Sequence, residues 1–370
     1  MAKFALSRPA LFQPPHSVSN VELPWRNQPI RGRDFGIQSG IESRPISNLS
    51  EEAMALLAVR ELFNSDRLKA ANCRGLVIAA SSLSHPIGQM ISEDEEVNSD
   101  SNNMRSLWRS LEVVTQAIDG YLNNVLDPRN IVAINWGCSA FPKAVEESLK
   151  MADRIDLNGN QYILVVTTSR LSQVMDWKSS VAAIFGDAAT AFAIVPNNAS
   201  IHNSREVILA QTAAHRVEGS NFFCAPSKNA VRPVFTDNQL SFGTLDEEIG
   251  LLTMNPSVIA NNAPRILLER TNESLNLGGI NLDSIDSWVP HQAGREILEN
   301  FLGAANVDPN KVVKNFRLLG NLSSSSIPCA LREAWEDLRG ETVACPSVGA
   351  GPVGTPWMSS GMVILGRANQ

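Results

Sequence analysis

Four short apolar runs mark the first part of the chain: GLVIAAS from Gly75, IVAIN from Ile131, YILVVTTS from Tyr162 and TAFAIV from Thr190. Their length and content read as buried strands. Between the second and third, Phe141, Val145, Leu149 and Ala152 recur near the 3.6-residue period of an amphipathic helix. Strands that alternate with helices predict a parallel sheet covered by helices.

The later part repeats that plan. An amphipathic stretch from Pro256 to Leu275 precedes a strand-like SWVPH at 287–291; a helix is expected from Gln292, then KVVKNF, a helix from Ser323, and the strands TVACPSV and GMVILG. Laying RGLVIAASSLSH over IDSWVPHQAG, each after a helix and a loop, suggests an internal duplication. The division expected is 1–200 and 201–370. One segment fits neither half: SEDEEVNSDSNNM, residues 92–104 of an insertion spanning about 91–106, is acidic and free of aromatic residues, as a solvated loop would be.

At 370 residues, 44% hydrophobic and 19% charged, the chain has the composition of a globular protein with a large core. A net charge of −7 argues against broad affinity for nucleic acid or anionic membranes. The N-terminal MAKFALSRPALFQPP lacks the apolar core of a secretory signal, and no run approaches the length of a membrane span, so a cytoplasmic protein is expected. Five cysteines, at 73, 138, 224, 329 and 345, are widely spaced with no C-x-x-C pair, and the five histidines are scattered. Neither a disulfide framework nor a metal site is expected.

Four segments hold candidate chemistry. In AINWGCSAF, Cys138 stands where a strand turns into a helix, and the orphan N–H groups and dipole of a helix start favour a thiolate. The bland alternative is a buried packing cysteine, since free cysteine is among the most buried residue types. In VPHQAG, His291 ends a strand at the sheet edge where sites gather, suited to acid, base or hydrogen-bond-donor roles or to a structural one. In LGNLSSSSIPCAL, Gly320 and Asn321 suit an unusual turn and the serines suit helix capping. SVGAGPVGTPW spells a G-x-G-x-x-G, but the chain given ends at Gln370, without the helix, strand and acidic residue a dinucleotide site needs. A loop offering a backbone N–H near Ala350 to an oxyanion is the better reading.

In this order the segments resemble the thiolase superfamily, and most closely its β-ketoacyl-acyl-carrier-protein synthase III branch. GCSAF is similar to that family's nucleophile segment, FGDAATAFAI at 185–194 to its F-G-D-x-A strand, VPHQA to its histidine segment and GNLSSSSIPCAL to its asparagine segment. The resemblance implies a five-layer α-β-α-β-α fold from two similar halves, usually a homodimer. It also implies that Cys138 accepts an acyl group from a coenzyme A or acyl-carrier-protein thioester, with no permanently bound cofactor. His291 and Asn321 would then hold an enolate oxygen during decarboxylative Claisen condensation, while the backbone at Cys138 and Ala350 would hold the tetrahedral oxyanion. A covalent thioester suits such chemistry, because a thiolate both attacks and leaves well.

The chain departs from the family in places. Gln38 stands where an arginine of the coenzyme A clamp is expected, Trp177 and Lys178 are candidate replacements by stacking and charge, and Arg295 with Lys311, Lys314 and Arg317 is a candidate basic patch for a carrier protein. The longer C-terminal loop, PVGTPWMS, and the acidic insertion point to a specialised-metabolite pathway, polyketide or fatty-acid-derived, rather than fatty-acid initiation. Two alternatives share the fold: an acyltransferase to an oxygen or nitrogen acceptor, and a silent subunit of a heterodimeric synthase. A papain-like protease also uses Cys, His and Asn, but C-G-[SA]-C-[WY] is absent and the strand–helix plan is wrong.

Overall fold

The computed structural model describes residues 2–24, 35–66, 68–81, 111–199, 203–220, 223–246, 249–338, 340, 342–351 and 355–369. The acidic segment 92–104 and the stretch WRNQPIRGRD at 25–34 lie outside the described residues.

The central sheet is laid down by β1 (Phe4–Ser7) and β2 (Ala10–Phe12), with β3 (His16–Ser19) and β4 (Ser43–Ile46) forming a small ladder beside it. There follow β5 (Cys73–Ala80), β6 (Ile131–Ile134), β7 (Tyr162–Ser169), β8 (Ala188–Pro196) and β9 (Ser204–Arg216). The strands β10 (Phe223–Ser227) and β13 (Ile249–Thr253) pair with each other, as do β11 (Val231–Thr236) and β12 (Gln239–Thr244), before β14 (Ser287–Trp288), β15 (Val343–Ala350) and β16 (Trp357–Asn369) complete the sheet. Its order is β14-β15-β16-β9-β1-β8-β7-β5-β6, with β2 on β8.

That order reads the same from either side. β5 runs parallel to β7, β7 antiparallel to β8, and β8 antiparallel to β1. In the same way β14 runs parallel to β15, β15 antiparallel to β16, and β16 antiparallel to β9. β1 pairs with β9 and joins the two sets. Even the outermost position recurs: β6 lies parallel to β5, and Val312 of KVVKNF makes a parallel bridge to Trp288.

Both faces of the sheet are covered, which explains the continuous apolar runs. Leu76 and Ile78, Leu164 and Val166, and Ala191 and Ala193 pack outward with helices α2 (Glu51–Asp66) and α3 (111–121), which follow the short α1 (Phe35–Ser39). Their neighbours Val77, Val165 and Phe192 pack inward with Phe141 and Val145 of α4 (Ala140–Arg154). In the second set, Met362 and Ile364 face outward with α5 (Pro256–Gly278) and α6 (Arg295–Ala304). Val363 and Leu365 face inward with Ile327 and Leu331, which lie on α8 (Ser326–Ala334), beyond the one-turn α7 (Phe316–Leu319). The layers are therefore helices, one strand set, α4 with α8, the other strand set, and helices.

Two expected boundaries move. SWVPH is strand only at Ser287–Trp288, although Val289 and His291 still donate to Ala344 and Pro346 of β15 at 2.8 and 2.9 Å; on the opposite edge Pro290 has no N–H with which to extend the bridge between Trp288 and Val312. The next helix starts at Arg295, not Gln292. Gln292 is buried as a bracket, its amide donating to the Pro290 and Val313 carbonyls and accepting from the Asn315 N–H, and Gly294 at φ +107° turns the chain into the helix.

Candidate active site

The two central helices start at one place. α4 begins directly after the turn Gly137–Ser139 that carries Cys138, and α8 directly after the turn Ser323–Ser325 that follows Asn321. Both helix starts thus direct their positive dipole ends toward one region.

Backbone crossings fix that region. Gly137 adopts φ +54°, and a Cβ there would overlap the Ala350 carbonyl. A Cβ on Gly349 would stand 2.6 Å from the Cys138 Cβ and 2.9 Å from its nitrogen. β15 therefore presses its main chain against the nucleophile turn, which only glycine at 349 permits. On the other side Asn321 donates its N–H to the Ile184 carbonyl at 2.9 Å and accepts from the Gly186 N–H at 3.1 Å. That ladder joins the FGD segment to the asparagine segment.

The side chains converge. The Asn321 carboxamide accepts from the Ser323 N–H at 2.7 Å, which orients it so that its nitrogen points to the Cys138 sulfur at 3.9 Å. The Ser323 hydroxyl lies 3.5 Å from the same sulfur. His291, buried, shares with Cys138 and Asn321 a cavity of about 640 Å³. Ile41, Leu171, Val181, Phe185, Ile259 and Val348 give it an apolar wall, and Gln38, Ser179, Ser257 and Asn261 a polar one.

Burial dominates the electrostatics. It pushes the Cys138 thiol up, opposed by hydrogen bonds from Ser323 and Asn321, so the resting group is a thiol and not the lowered-pKa thiolate expected from its place before a helix. Burial also pulls His291 down to about 3, which keeps the ring neutral. Its Nδ1 is buried with no hydrogen-bond partner among the described residues. Asp187 of the FGD segment, pushed up to about 6 by burial, accepts from the Ser47 N–H and from the N–H and hydroxyl of Ser172. Among the described residues no group of His, Cys, Asp and Glu is arranged to hold a metal ion.

Residues 133–211 match the family described as 3-oxoacyl-[acyl-carrier-protein] synthase III, and residues 275–355 match its C-terminal counterpart. The chain is synthase III-like. The synthase III-like chain is 30% identical over 194 residues to a β-ketoacyl-acyl-carrier-protein synthase III of Symbiobacterium thermophilum, covering 51% of this chain and 56% of the relative. It is 25% identical over 225 residues to one from Staphylococcus epidermidis, covering 59% and 62%. It thus spans less than two thirds of the length of either. In fold it is similar to the 3-oxoacyl-(acyl carrier protein) synthase III of Pseudomonas aeruginosa, with TM-score 0.68, 17% identity and 99% of each chain covered. It is also similar to Xanthomonas campestris OleA E117A, with TM-score 0.71, 15% identity and coverage of 99% and 98%.

In the synthase III-like chain Cys138, His291, Asn321, Ala350 and Arg295 all line the cavity. Trp177 and Lys178 do not. Trp177 is fully buried, donates its indole N–H to the Ser172 carbonyl at 2.8 Å and packs on Phe242, leaving no face on which a nucleotide base would stack. Lys178 donates to the Lys228 carbonyl at 2.8 Å. Arg295 donates to the Ile37 carbonyl and lies 3.9 Å from Glu299. Of the expected basic patch, Lys311 donates to the Ile285 carbonyl, and Arg317 pairs with Glu42 at 2.7 Å. No helix among the described residues is long and apolar enough to cross a membrane. Ser323 and Gly349 were the site residues that sequence reasoning passed over; one lay inside a serine run read as helix capping, the other inside a glycine pattern set aside as a nucleotide motif.

Proposed function

We propose that this chain is an acyl-transferring and condensing enzyme that works through a thioester on Cys138. In the first half-reaction the Cys138 sulfur attacks the carbonyl of an acyl thioester, the bond from that carbonyl to the donor's sulfur breaks, and the thiol proton of Cys138 ends on the departing thiol. Backbone N–H groups at Cys138 and in the Ala350 region hold the oxyanion in between. In the second, a malonyl-type thioester loses carbon dioxide, and its enolate oxygen is held by a ring N–H of neutral His291 and the Asn321 amide. The enolate carbon attacks the Cys138 thioester and the cysteine leaves as thiolate.

The observation that carries this reading is the Asn321 amide nitrogen 3.9 Å from the Cys138 sulfur, with His291 on the same cavity. A transfer to an oxygen or nitrogen acceptor makes no use of an enolate-stabilising amide. The donor rides on coenzyme A or an acyl carrier protein, and the chain works as a homodimer in specialised-metabolite synthesis. Gln38 in place of an arginine on the cavity wall supports a role apart from fatty-acid initiation.

The test is intact-protein mass spectrometry of wild type and Cys138→Ala with a panel of acyl-CoA and acyl-carrier thioesters, followed by malonyl thioester. One acyl adduct, absent from the variant and discharged as a β-ketoacyl product, is expected. Discharge only to an alcohol or amine would leave an acyltransferase, and no adduct from any donor would favour the silent subunit.

A further inference from the structure

Ser323 holds a backbone conformation that serine avoids. Its φ is +48°, in the left-handed region where Cβ crowds the following carbonyl and where glycine or asparagine is the usual choice. It is also buried, with 2% of its surface exposed. Strain at a buried non-glycine residue persists where the surroundings over-determine it, and it concentrates at functional sites.

The neighbouring serines have structural partners. Ser324 donates to the Thr168 carbonyl at 2.6 Å and accepts from Ser81 at 2.8 Å. Ser325 meets the Thr167 hydroxyl at 2.9 Å, and Ser326 donates to the Asn321 carboxamide oxygen at 3.4 Å. Ser323 differs from all three. Its N–H is used by Asn321, and the hydrogen-bond partner of its hydroxyl among the described residues is the sulfur of Cys138. The left-handed turn is what lets one residue hold Asn321 by its main chain and reach the nucleophile by its side chain.

We propose that Ser323 is a catalytic residue of the acyl-transfer half-reaction, its hydroxyl donating to the Cys138 sulfur as negative charge develops there. This rests on the acyl-transfer reading of Cys138. The Cys138 sulfur is part-buried on the cavity wall and has lost part of the water that would solvate a thiolate, so donors fixed in the protein take over that role. Asn321 supplies one at 3.9 Å and Ser323 a closer one at 3.5 Å. The serine keeps its proton throughout: the thiol and the acyl thioester become the Cys138 thioester and the donor's free thiol. Once the acyl group is attached, the charge is gone and the serine's contribution to that step ends.

The discriminating variant is Ser323→Gly, because glycine accepts φ +48° and keeps the N–H that holds Asn321 while removing the side chain that carries the hydroxyl. Ser323→Ala gives a second deletion should the glycine variant fold poorly. The rate of alkylation of Cys138 by iodoacetamide is followed across pH, with Cys138→Ala as the background for the other thiols, alongside single-turnover acylation by an acyl thioester that labels the wild type. Loss of a hydrogen bond to a charged sulfur is expected to raise the alkylation midpoint by about one pH unit and slow acylation by about tenfold. An unchanged midpoint and acylation rate in Ser323→Gly would overturn the proposal and leave Ser323 a backbone element alone. If alkylation is normal but no thioester labels the wild type, the acyl-transfer reading fails and Ser323 loses its catalytic role with it; the midpoint then reports only whether the hydroxyl bonds the thiolate.

Discussion

Gly349→Ala should disable the nucleophile from the far side of the sheet. The added Cβ would sit 2.6 Å from the Cys138 Cβ, 2.9 Å from its nitrogen and 3.2 Å from its Cα. Ordinary contact begins near 3.4 Å, so about 0.8 Å must be found. No flexible side-chain end is available to give way: the obstruction is the main chain and first carbon of the nucleophile itself, at the start of buried α4. A displacement near 1 Å of a reacting group costs on the order of 100-fold in rate. Overpacking a buried contact costs about 1–3 kcal/mol of stability. Acylation of Cys138 read by intact mass, with thermal unfolding measured in parallel, should show both losses. Gly303→Ala is the control, since a Cβ there meets nothing within 4 Å and the residue lies within α6, where alanine is favoured over glycine; it should keep full acylation and gain up to about 1 kcal/mol. Acylation by Gly349→Ala at the wild-type rate would refute the close-approach reasoning.

Asn321→Ala should retain acylation to within about tenfold while losing condensation, since the amide is assigned to the enolate; equal loss of both steps in single-turnover assays would contradict that division. Trp177→Phe removes the indole N–H donated to Ser172 and should cost about 1–2 kcal/mol in denaturant unfolding, with the donor KM unchanged because the ring does not line the cavity. His291 carries a pH signature. Its folded pKa is lowered from 6.5 to about 3, so the unfolded chain binds a proton the folded one refuses. The stability gained by keeping it neutral is complete above about pH 6.5 and is lost as pH falls toward 3, by as much as about 5 kcal/mol. Asp187, raised to about 6, acts in the opposite sense, so the readout is the difference between wild type and His291→Gln. That difference should shrink steadily from pH 7 to pH 4, and a flat one would mean the ring is solvated.

The strands buried on both faces were legible because continuous apolar runs leave little choice of structure. YILVVTTS at 162–169 is β7 residue for residue. The longer β9 was not, because its second part is only half-buried and lacks such a run. β1 lies in the N-terminal stretch, where the apolar run is too short to mark a strand by itself, yet it is the strand that joins the two sets. Of the candidate site, the three side chains of Cys138, His291 and Asn321 were named from motifs, and the structure places them around one cavity. The resting state of the sulfur was misjudged. A helix start pulls a thiol's pKa down, but only the folded molecule reveals the burial that outweighs it. Trp177 is named from the resemblance as a stacking residue of the clamp, but Phe242, distant in sequence, covers its ring.

The glycines explain why the site depends on the meeting of two halves rather than on any one loop. A Cβ on Gly186 would come within 2.5 Å of the Leu319 carbonyl, and one on Gly320 within 2.7 Å of the Ile184 carbonyl. The FGD segment and the asparagine segment therefore cross main chain to main chain, each carrying a glycine at the crossing. Gly349 does the same for β15 and the nucleophile turn. Side chains along the cavity wall can exchange one apolar group for another at modest cost, but these crossings have no slack, and they set where Asn321 and Cys138 stand. The acyl group accepted should thus vary readily among relatives through wall residues such as Val181 or Ile259, whereas the geometry of the reaction is held by backbone contacts that a single methyl group would break.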